Sequence, residues 1–219
     1  MTELKNQNSK LVYQIIAVLV GWFALILQLY LIIKRVPESA QTYLSEIIRF
    51  FSYMTIWTNI LVTLTFTVPL IAKTSRLGQF LSRPIVQTAT MLYITVVGIA
   101  YHFLLANIWA PTGLQKVADV SLHYIVPALY IVYWFLFVKK GEQQFGNSIK
   151  WLLYPLVYII YALIYGYLSN LYTYPFIDVS EHGYAIVLRN SFLLAVGYLL
   201  GGLLLILLDK VMAKSFSKQ

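Results

Sequence analysis

The chain has 219 residues, of which 60% are hydrophobic and only 11% are charged, with a net charge of +8. A soluble domain carries about 25% charged residues, so this composition is typical of a membrane protein. The chain contains no cysteine. Disulfides, thiolate metal sites and a cysteine nucleophile are therefore excluded.

Six apolar stretches follow one another along the chain, and each is long enough to cross the roughly 30 Å hydrocarbon core of a bilayer. They cover approximately residues 11–33, 47–72, 85–109, 122–138, 151–170 and 184–208. We predict an all-α polytopic membrane protein, a bundle of six transmembrane helices that forms one domain over residues 11–208. The first stretch is expected to be a retained anchor and not a signal peptide.

The basic residues are concentrated in alternate connections and near the two ends of the chain. These residues are Lys5, Lys10, Lys73, Arg76, Arg83, Lys139, Lys140, Lys150, Lys210, Lys214 and Lys218. Lys and Arg in short connections remain on the cytoplasmic side. We therefore expect residues 1–10 and the basic tail 209–219 to be cytoplasmic, in a multi-pass protein of the cell membrane. Because this distribution explains the charge, nucleic acid is not an expected partner; membrane lipids are, and the oligomeric state stays open.

This orientation brings the three histidines, His102, His123 and His182, to the outer half of the membrane. The second stretch adds a polar face there, since Thr55, Thr58 and Asn59 share one side of a helix. Such a face is costly in hydrocarbon unless it points into the protein. It is either an interhelical packing surface, in which threonines bond back to their own helix, or part of a site.

The fourth stretch places His123, Pro127 and Tyr130 on one face. A proline lacks the N–H that would bond the carbonyl four residues earlier, here that of His123, so we expect a kink that gives the imidazole room. On the third stretch His102 is the inward candidate. Near the start of the sixth stretch, Arg189 is expected to pair with Asp178 or Glu181 of the preceding connection, or to bind an anionic group of a substrate.

Four segments of the sequence are similar to those of a known membrane family. They are Tyr53-Met-Thr-Ile-Trp-Thr-Asn59, Val97-Gly-Ile-Ala-Tyr-His102, Leu122-His-Tyr-Ile-Val-Pro127 and Tyr174-Pro-Phe-Ile-Asp178. Together they resemble the six-helix family of the androgen-induced protein and the androgen-dependent TFPI-regulating protein, through its bacterial branch. The resemblance extends from the second stretch to the sixth.

Animal members of that family are threonine hydrolases that cleave fatty acid esters of hydroxy fatty acids inside the membrane. The resemblance implies a threonine nucleophile on the second helix, Thr55 or alternatively Thr58, and His123 as its base. No cofactor is implied. Bacterial relatives often carry Asp where this chain has Tyr133, so no acid is expected to orient His123 from that position. Residues with a supporting or substrate-binding role would be Thr58, Asn59, His102, Tyr130, Asp178 and Arg189.

The chemistry of such a pair is that of nucleophilic catalysis. A threonine hydroxyl is a weak nucleophile and needs a base within hydrogen-bond reach, and donors such as Asn59 or a tyrosine would stabilise the oxyanion. One geometric difficulty is that Thr55 lies 10–12 Å below the predicted start of its helix (at about 1.5 Å per residue), whereas His123 lies at the predicted start of its own.

Two alternatives remain at this stage. A zinc-dependent hydrolase would use His102, His123, His182 and Asp178 as ligands, although their spacing fits no ligand motif. A non-enzymatic membrane protein would bind or transport lipids or small molecules.

Overall fold

A computed structural model describes residues 2–38 and 41–216, and in this part of the chain six helices are long and apolar enough to cross a membrane. These helices are Gln7–Lys34, Met54–Ile71, Pro84–Leu105, Gly113–Phe137, Asn147–Ser169 and Val179–Ser215. The prediction of an all-α membrane protein with six spans is confirmed. The side of the membrane on which each connection lies stays a prediction.

The described helices are α1 (Thr2–Lys34), α2 (Tyr43–Phe51), α3 (Met54–Ile71), α4 (Arg76–Leu81), α5 (Pro84–Ala100), α6 (Gly113–Val120), α7 (Val126–Phe137), α8 (Asn147–Trp151), α9 (Leu153–Ser169) and α10 (Val179–Phe216). Two π-helical segments belong to these spans, one at the end of the third and one within the fourth. The first π segment, Tyr101–Leu105, extends α5, and the second π segment, Ser121–Ile125, joins α6 to α7. Short 3-10 helices cover Val36–Glu38 and Pro175–Ile177.

The second and fourth spans show the largest shifts from their predicted starts. The second apolar stretch is broken after Phe51, so the spanning helix α3 starts only at Met54. The fourth span starts at Gly113, nine residues earlier than predicted, because the polar residues Gln115, Lys116 and Asp119 are helical although they lower the local hydropathy. Both shifts change where Thr55 and His123 lie along their helices.

The chain forms two compact units. The first consists of the residues up to Ile47 together with Thr55–Lys139. In it α1 packs against α6, the second π segment and α7, and α5 packs against α7. Its largest fully buried side chains include Trp134, whose indole N–H donates to the Thr88 hydroxyl over 2.9 Å. A polar group buried in a membrane helix thus has an interhelical partner, as the apolar surroundings require.

The second unit consists of Ile48–Met54 and the residues from Lys140 onward. Here the Tyr158 hydroxyl on α9 donates to the Ser52 carbonyl over 2.9 Å, and this bond holds the break between α2 and α3. At the other end, one carboxylate oxygen of Asp209 accepts the backbone N–H groups of Gly141 and Gln143 at 2.9 and 3.2 Å. The connection after the fourth span is thereby fixed to α10. The prediction of one domain over residues 11–208 stays a prediction.

Candidate active site

Thr55 owes its position to the break that precedes it. After Ser52 and Tyr53 leave the helical path, α3 begins at Met54, so Thr55 is the second residue of an 18-residue helix. Its side chain lies where the amide groups of the first turn give the helix its positive end. Only 7% of Thr55 is exposed. The predicted offset of 10–12 Å from the start of its helix is therefore wrong.

His123 lies in the middle of the second π segment, about ten residues into the fourth span. A glycine on the neighbouring helix allows this close packing, because a Cβ on Gly98 would lie 3.2 Å from the His123 carbonyl oxygen. The wider π turn also changes which carbonyl lacks a donor because Pro127 has no N–H. Val126 N–H donates to the carbonyl of Ser121, five residues back, so in this register Pro127 leaves the Leu122 carbonyl without a helical donor.

The expectation that Pro127 exposes the His123 carbonyl is thus corrected by one residue. The orphaned Leu122 carbonyl accepts a hydrogen bond from the Asn59 side-chain amide on α3, over 3.2 Å. Asn59 thereby joins the helix that carries Thr55 to the segment that carries His123. Since π segments are frequent at functional sites, this deviation from α-helix indicates a candidate site around His123.

The structure brings Thr55 and His123 together. Thr55 Oγ1 lies 3.2 Å from His123 Nε2, within hydrogen-bond distance. Thr55 is the second residue of α3 and His123 lies ten residues into the fourth span, so the offset between the two helix starts is opposite to the predicted one. The contact is mostly enclosed, with 13% of the His123 side chain exposed.

The other ring nitrogen of His123 faces two acceptors that both belong to Asp119. Nδ1 lies 3.0 Å from the Asp119 backbone carbonyl and 3.2 Å from its carboxylate oxygen Oδ1. Two acceptors and no donor at Nδ1 assign the proton of a neutral imidazole to that nitrogen. Nε2 is then the acceptor that faces the Thr55 hydroxyl, as a base must.

Tyr101, in the first π segment, contacts both His123 and Asp119. Its hydroxyl donates to Asp119 Oδ2, and its ring is stacked on the His123 ring, with 3.8 Å between centroids and 12° between planes. The imidazole is therefore held at its face by Tyr101 and at its edge by Asp119. Thr55, His123, Asp119 and Tyr101 form a connected set, which we call the Thr–His–Asp cluster.

Asn59 is fully buried beside this cluster. Its amide nitrogen donates to the carbonyls of Thr55, at 2.8 Å, and Leu122, and the presence of two carbonyls fixes which end of the amide faces them. Its oxygen Oδ1 is buried and has no hydrogen-bond partner among the described residues. Because both amide hydrogens are already bonded, Asn59 has none left for an oxyanion, and the expectation that it could serve as that donor is not met.

The other predicted residues of this unit lie outside the cluster or are closed off. Thr58, one turn after Thr55, is completely buried, so Thr55 is the more accessible hydroxyl of the two. Tyr130 is also fully buried, and its hydroxyl donates to the Gln87 carbonyl over 3.3 Å. His102 is exposed, and its Nδ1 lies 3.1 Å from the Tyr124 hydroxyl.

Asp178 and Arg189 belong to the second unit. Asp178 Oδ1 accepts the backbone N–H groups of Ser180 and Glu181 at 2.9 and 3.2 Å, as a residue that caps a helix start does. The Ser180 hydroxyl, which donates to the same oxygen, and these backbone bonds hold the pKa of Asp178 below its usual range. Arg189 is exposed and bonds Asn190 over 3.4 Å. The predicted ion pair of Arg189 with Asp178 or Glu181 does not form in these described residues.

No three His, Asp or Glu side chains in residues 7–37 and 41–215, whose side chains the structure describes, are close enough together to bind a metal ion. The zinc alternative, with His102, His123, His182 and Asp178, therefore has no ligand set in the described structure.

Asp119 and Tyr101 were not among the site residues predicted from the sequence. Asp119 precedes His123 by one helical turn, but the predicted fourth helix began at Leu122 and left Asp119 in a connection. The i, i+4 spacing of Asp119 and His123 would have indicated that these two side chains meet if the predicted fourth span had begun upstream of Asp119. For Tyr101, the sequence held no signal beyond its place next to His102.

Comparison of the chain with protein-family models, with curated proteins and with solved structures finds no match.

Proposed function

We propose that this protein is an intramembrane hydrolase of lipid carboxylic esters, with Thr55 as the nucleophile and His123 as the general base. The observation that carries the proposal is the 3.2 Å contact between Thr55 Oγ1 and His123 Nε2. A hydroxyl and an unprotonated imidazole nitrogen at this distance are the minimum that hydroxyl-based nucleophilic catalysis requires. The pair is largely buried in a unit whose helices are long and apolar enough to span a membrane, and its partial exposure leaves access for the water that the second stage of the reaction needs.

The reaction has two stages. Thr55 Oγ1 attacks the ester carbonyl carbon as its proton passes to His123 Nε2, and the tetrahedral adduct collapses when His123 returns that proton to the departing alkoxide. An acyl-threonine and an alcohol result. A water molecule then attacks the acyl carbon and gives its proton to His123, which returns the proton to Thr55 Oγ1 as the carboxylic acid leaves.

Two features of the surroundings support this chemistry. Thr55 belongs to the first turn of α3, and the positive end of a helix favours negative charge that develops on a nearby oxyanion. A lipid ester already partitions into the bilayer, so a site at membrane level receives a high local concentration of its substrate. Fatty acid esters of hydroxy fatty acids are the substrate class that the family resemblance implies, and we propose them as the first compounds to test.

The direct test is ester hydrolysis by the full-length chain in lipid nanodiscs, with the released fatty acid measured by mass spectrometry. We expect Thr55→Ala and His123→Ala to lower kcat by at least about 10³-fold, since members of a catalytic unit fail together. Thr67→Ala and His182→Ala serve as matched controls for loss of a threonine and a histidine, and should retain activity. Wild-type protein that releases no more acid than Thr55→Ala from any lipid ester would refute the proposal.

A further inference from the structure

We propose that Asp119 is the positioning residue of His123, and that Tyr101 in turn positions Asp119. This inference rests on the proposed function, because it assigns His123 the role of base. It extends the reacting pair to an ordered chain of four side chains from three spans, the second, third and fourth. Asp119 does not reach the Thr55 hydroxyl and would act only through the imidazole.

Asp119 offers His123 two acceptors of different kinds. The backbone carbonyl, 3.0 Å from Nδ1, is uncharged and belongs to the helix itself, so it fixes the position of the ring proton. The carboxylate, 3.2 Å from the same nitrogen, adds a negative charge. That charge matters most after His123 has taken the threonine proton, because the ring is then an imidazolium cation.

The backbone carbonyl makes this arrangement different from a triad in which a carboxylate alone sets the tautomer. In such a triad, the change of Asp to Asn reverses the tautomer and lowers kcat about 10⁴-fold. Here the carbonyl keeps the proton on Nδ1 when Asp119 is replaced by Asn. We therefore expect a smaller loss, on the order of 10²-fold, from the missing charge alone.

Tyr101 completes the support of the carboxylate. Its hydroxyl bonds the oxygen that His123 does not use, and its ring covers the imidazole face at 3.8 Å. In the part of the chain that the structure describes, no lysine or arginine forms an ion pair with Asp119. The polar contacts of its carboxylate there are with Tyr101 and His123. The carboxylate is 7% exposed, so these two bonds replace most of its hydration.

The experiment compares Asp119→Asn, Asp119→Glu and Tyr101→Phe with the matched changes Glu142→Gln and Tyr167→Phe, which lie on exposed residues outside the cluster. Asparagine can still accept the Tyr101 hydroxyl, so a merely structural role would leave kcat intact in Asp119→Asn. We expect kcat to fall about 10²-fold with KM changed by less than about threefold, the split expected when an interaction of the transition state is lost. Asp119→Glu should recover part of this loss, and Tyr101→Phe should lose roughly threefold to tenfold.

A second readout needs no substrate and remains available if Asp119→Asn proves unstable. The chain has three histidines, so the proton resonance of His123 Nδ1–H can be assigned by its loss in His123→Ala. We expect it far downfield in wild type, as for a proton held by a carboxylate, and moved upfield in Asp119→Asn and Tyr101→Phe. This inference would be overturned if neither Asp119→Asn nor Tyr101→Phe changed the resonance or kcat, while Thr55→Ala and His123→Ala still abolished activity. Full activity of Thr55→Ala and His123→Ala would instead overturn the proposed function.

Discussion

Asn59 on α3 donates its side-chain amide to the carbonyl of Leu122 across 3.2 Å, at the point where Pro127 deprives that carbonyl of a helical donor. The same amide bonds the Thr55 carbonyl one turn earlier on its own helix. One buried side chain therefore ties the segment that carries the nucleophile to the segment that carries the base. The relative position of Thr55 and His123 depends on this link.

Replacement of Asn59 by Asp tests the link. An aspartate oxygen in place of the amide nitrogen would face two carbonyl oxygens, so the side chain either buries a charge or loses at least one hydrogen bond. We expect a loss of about 3 kcal/mol in the free energy of unfolding, measured by titration with a denaturing detergent. Asn190→Asp is the control, because the Asn190 amide nitrogen donates to one carbonyl, that of Phe176, and the residue is only partly buried. Its oxygen accepts from the exposed Arg189, a bond that aspartate keeps; the change should cost about 1 kcal/mol.

The choice between Thr55 and Thr58 is tested by conservative substitutions. Thr55→Ser keeps a hydroxyl at the same position and should retain measurable hydrolysis, whereas Thr55→Val keeps the shape and should abolish it. Thr58→Val should keep most of the activity, because Thr58 is completely buried and cannot meet a substrate. Initial rates of acid release decide between them. Activity that survives in Thr55→Val and disappears in Thr58→Val would reverse the assignment.

The connection after the fourth span supports a prediction about pH. Burial lowers the pKa of Lys140 to about 8, although the nearby Asp209 carboxylate raises it. The folded state thus binds its proton more weakly than the unfolded chain, whose lysines titrate near 10.4. This cost to stability is fully present below pH 8 and disappears as the pH rises through about 10. Amine acetylation, followed by mass spectrometry, should show Lys140 half-modified at a lower pH than an ordinary lysine.

The partner of Lys140 provides the control. Asp209→Asn removes the charge that raises the pKa of the Lys140 ammonium, so the pH of half-modification should fall further. A pH of half-modification that stays the same or rises would contradict the effect assigned to the Asp209 carboxylate.

The predicted orientation is testable because the chain has no cysteine. A single cysteine at Thr112, in the connection after the third span, should react with a membrane-impermeant maleimide added to intact cells. A single cysteine at Ser75, in the connection after the second span, should react only after the membrane is opened. Both sites are exposed. The opposite pattern would place the basic connections outside and reverse the prediction from charge.

Part of this structure could be predicted from the sequence because hydropathy alone determines where the chain crosses a bilayer. The six spans follow from that rule, and the chain contains no competing signal. The start of the fourth span could not be predicted in this way. Gln115, Lys116 and Asp119 are polar, so a hydropathy criterion excludes them, although the helix continues through them.

The candidate site was predictable only in its two reacting residues, and these came from the resemblance and the residue types of Thr55 and His123. The break before Met54, the two π segments and the contact of Tyr101 with Asp119 depend on packing between helices that are distant in sequence. Asp119 is the clearest case. Its distance from His123 is local, but its significance depends on where the helix begins.

The most direct test of the central claim is to trap the nucleophile. A lipid-like fluorophosphonate is added to the full-length chain in nanodiscs, and the modified residue is identified by peptide mass spectrometry. We predict one phosphonyl adduct, on Thr55, which is absent from Thr55→Ala and strongly reduced in His123→Ala. An adduct on Thr58 or another residue, or labelling of Thr55 that is as fast without His123 as with it, would contradict the assignment of Thr55 as a nucleophile activated by His123.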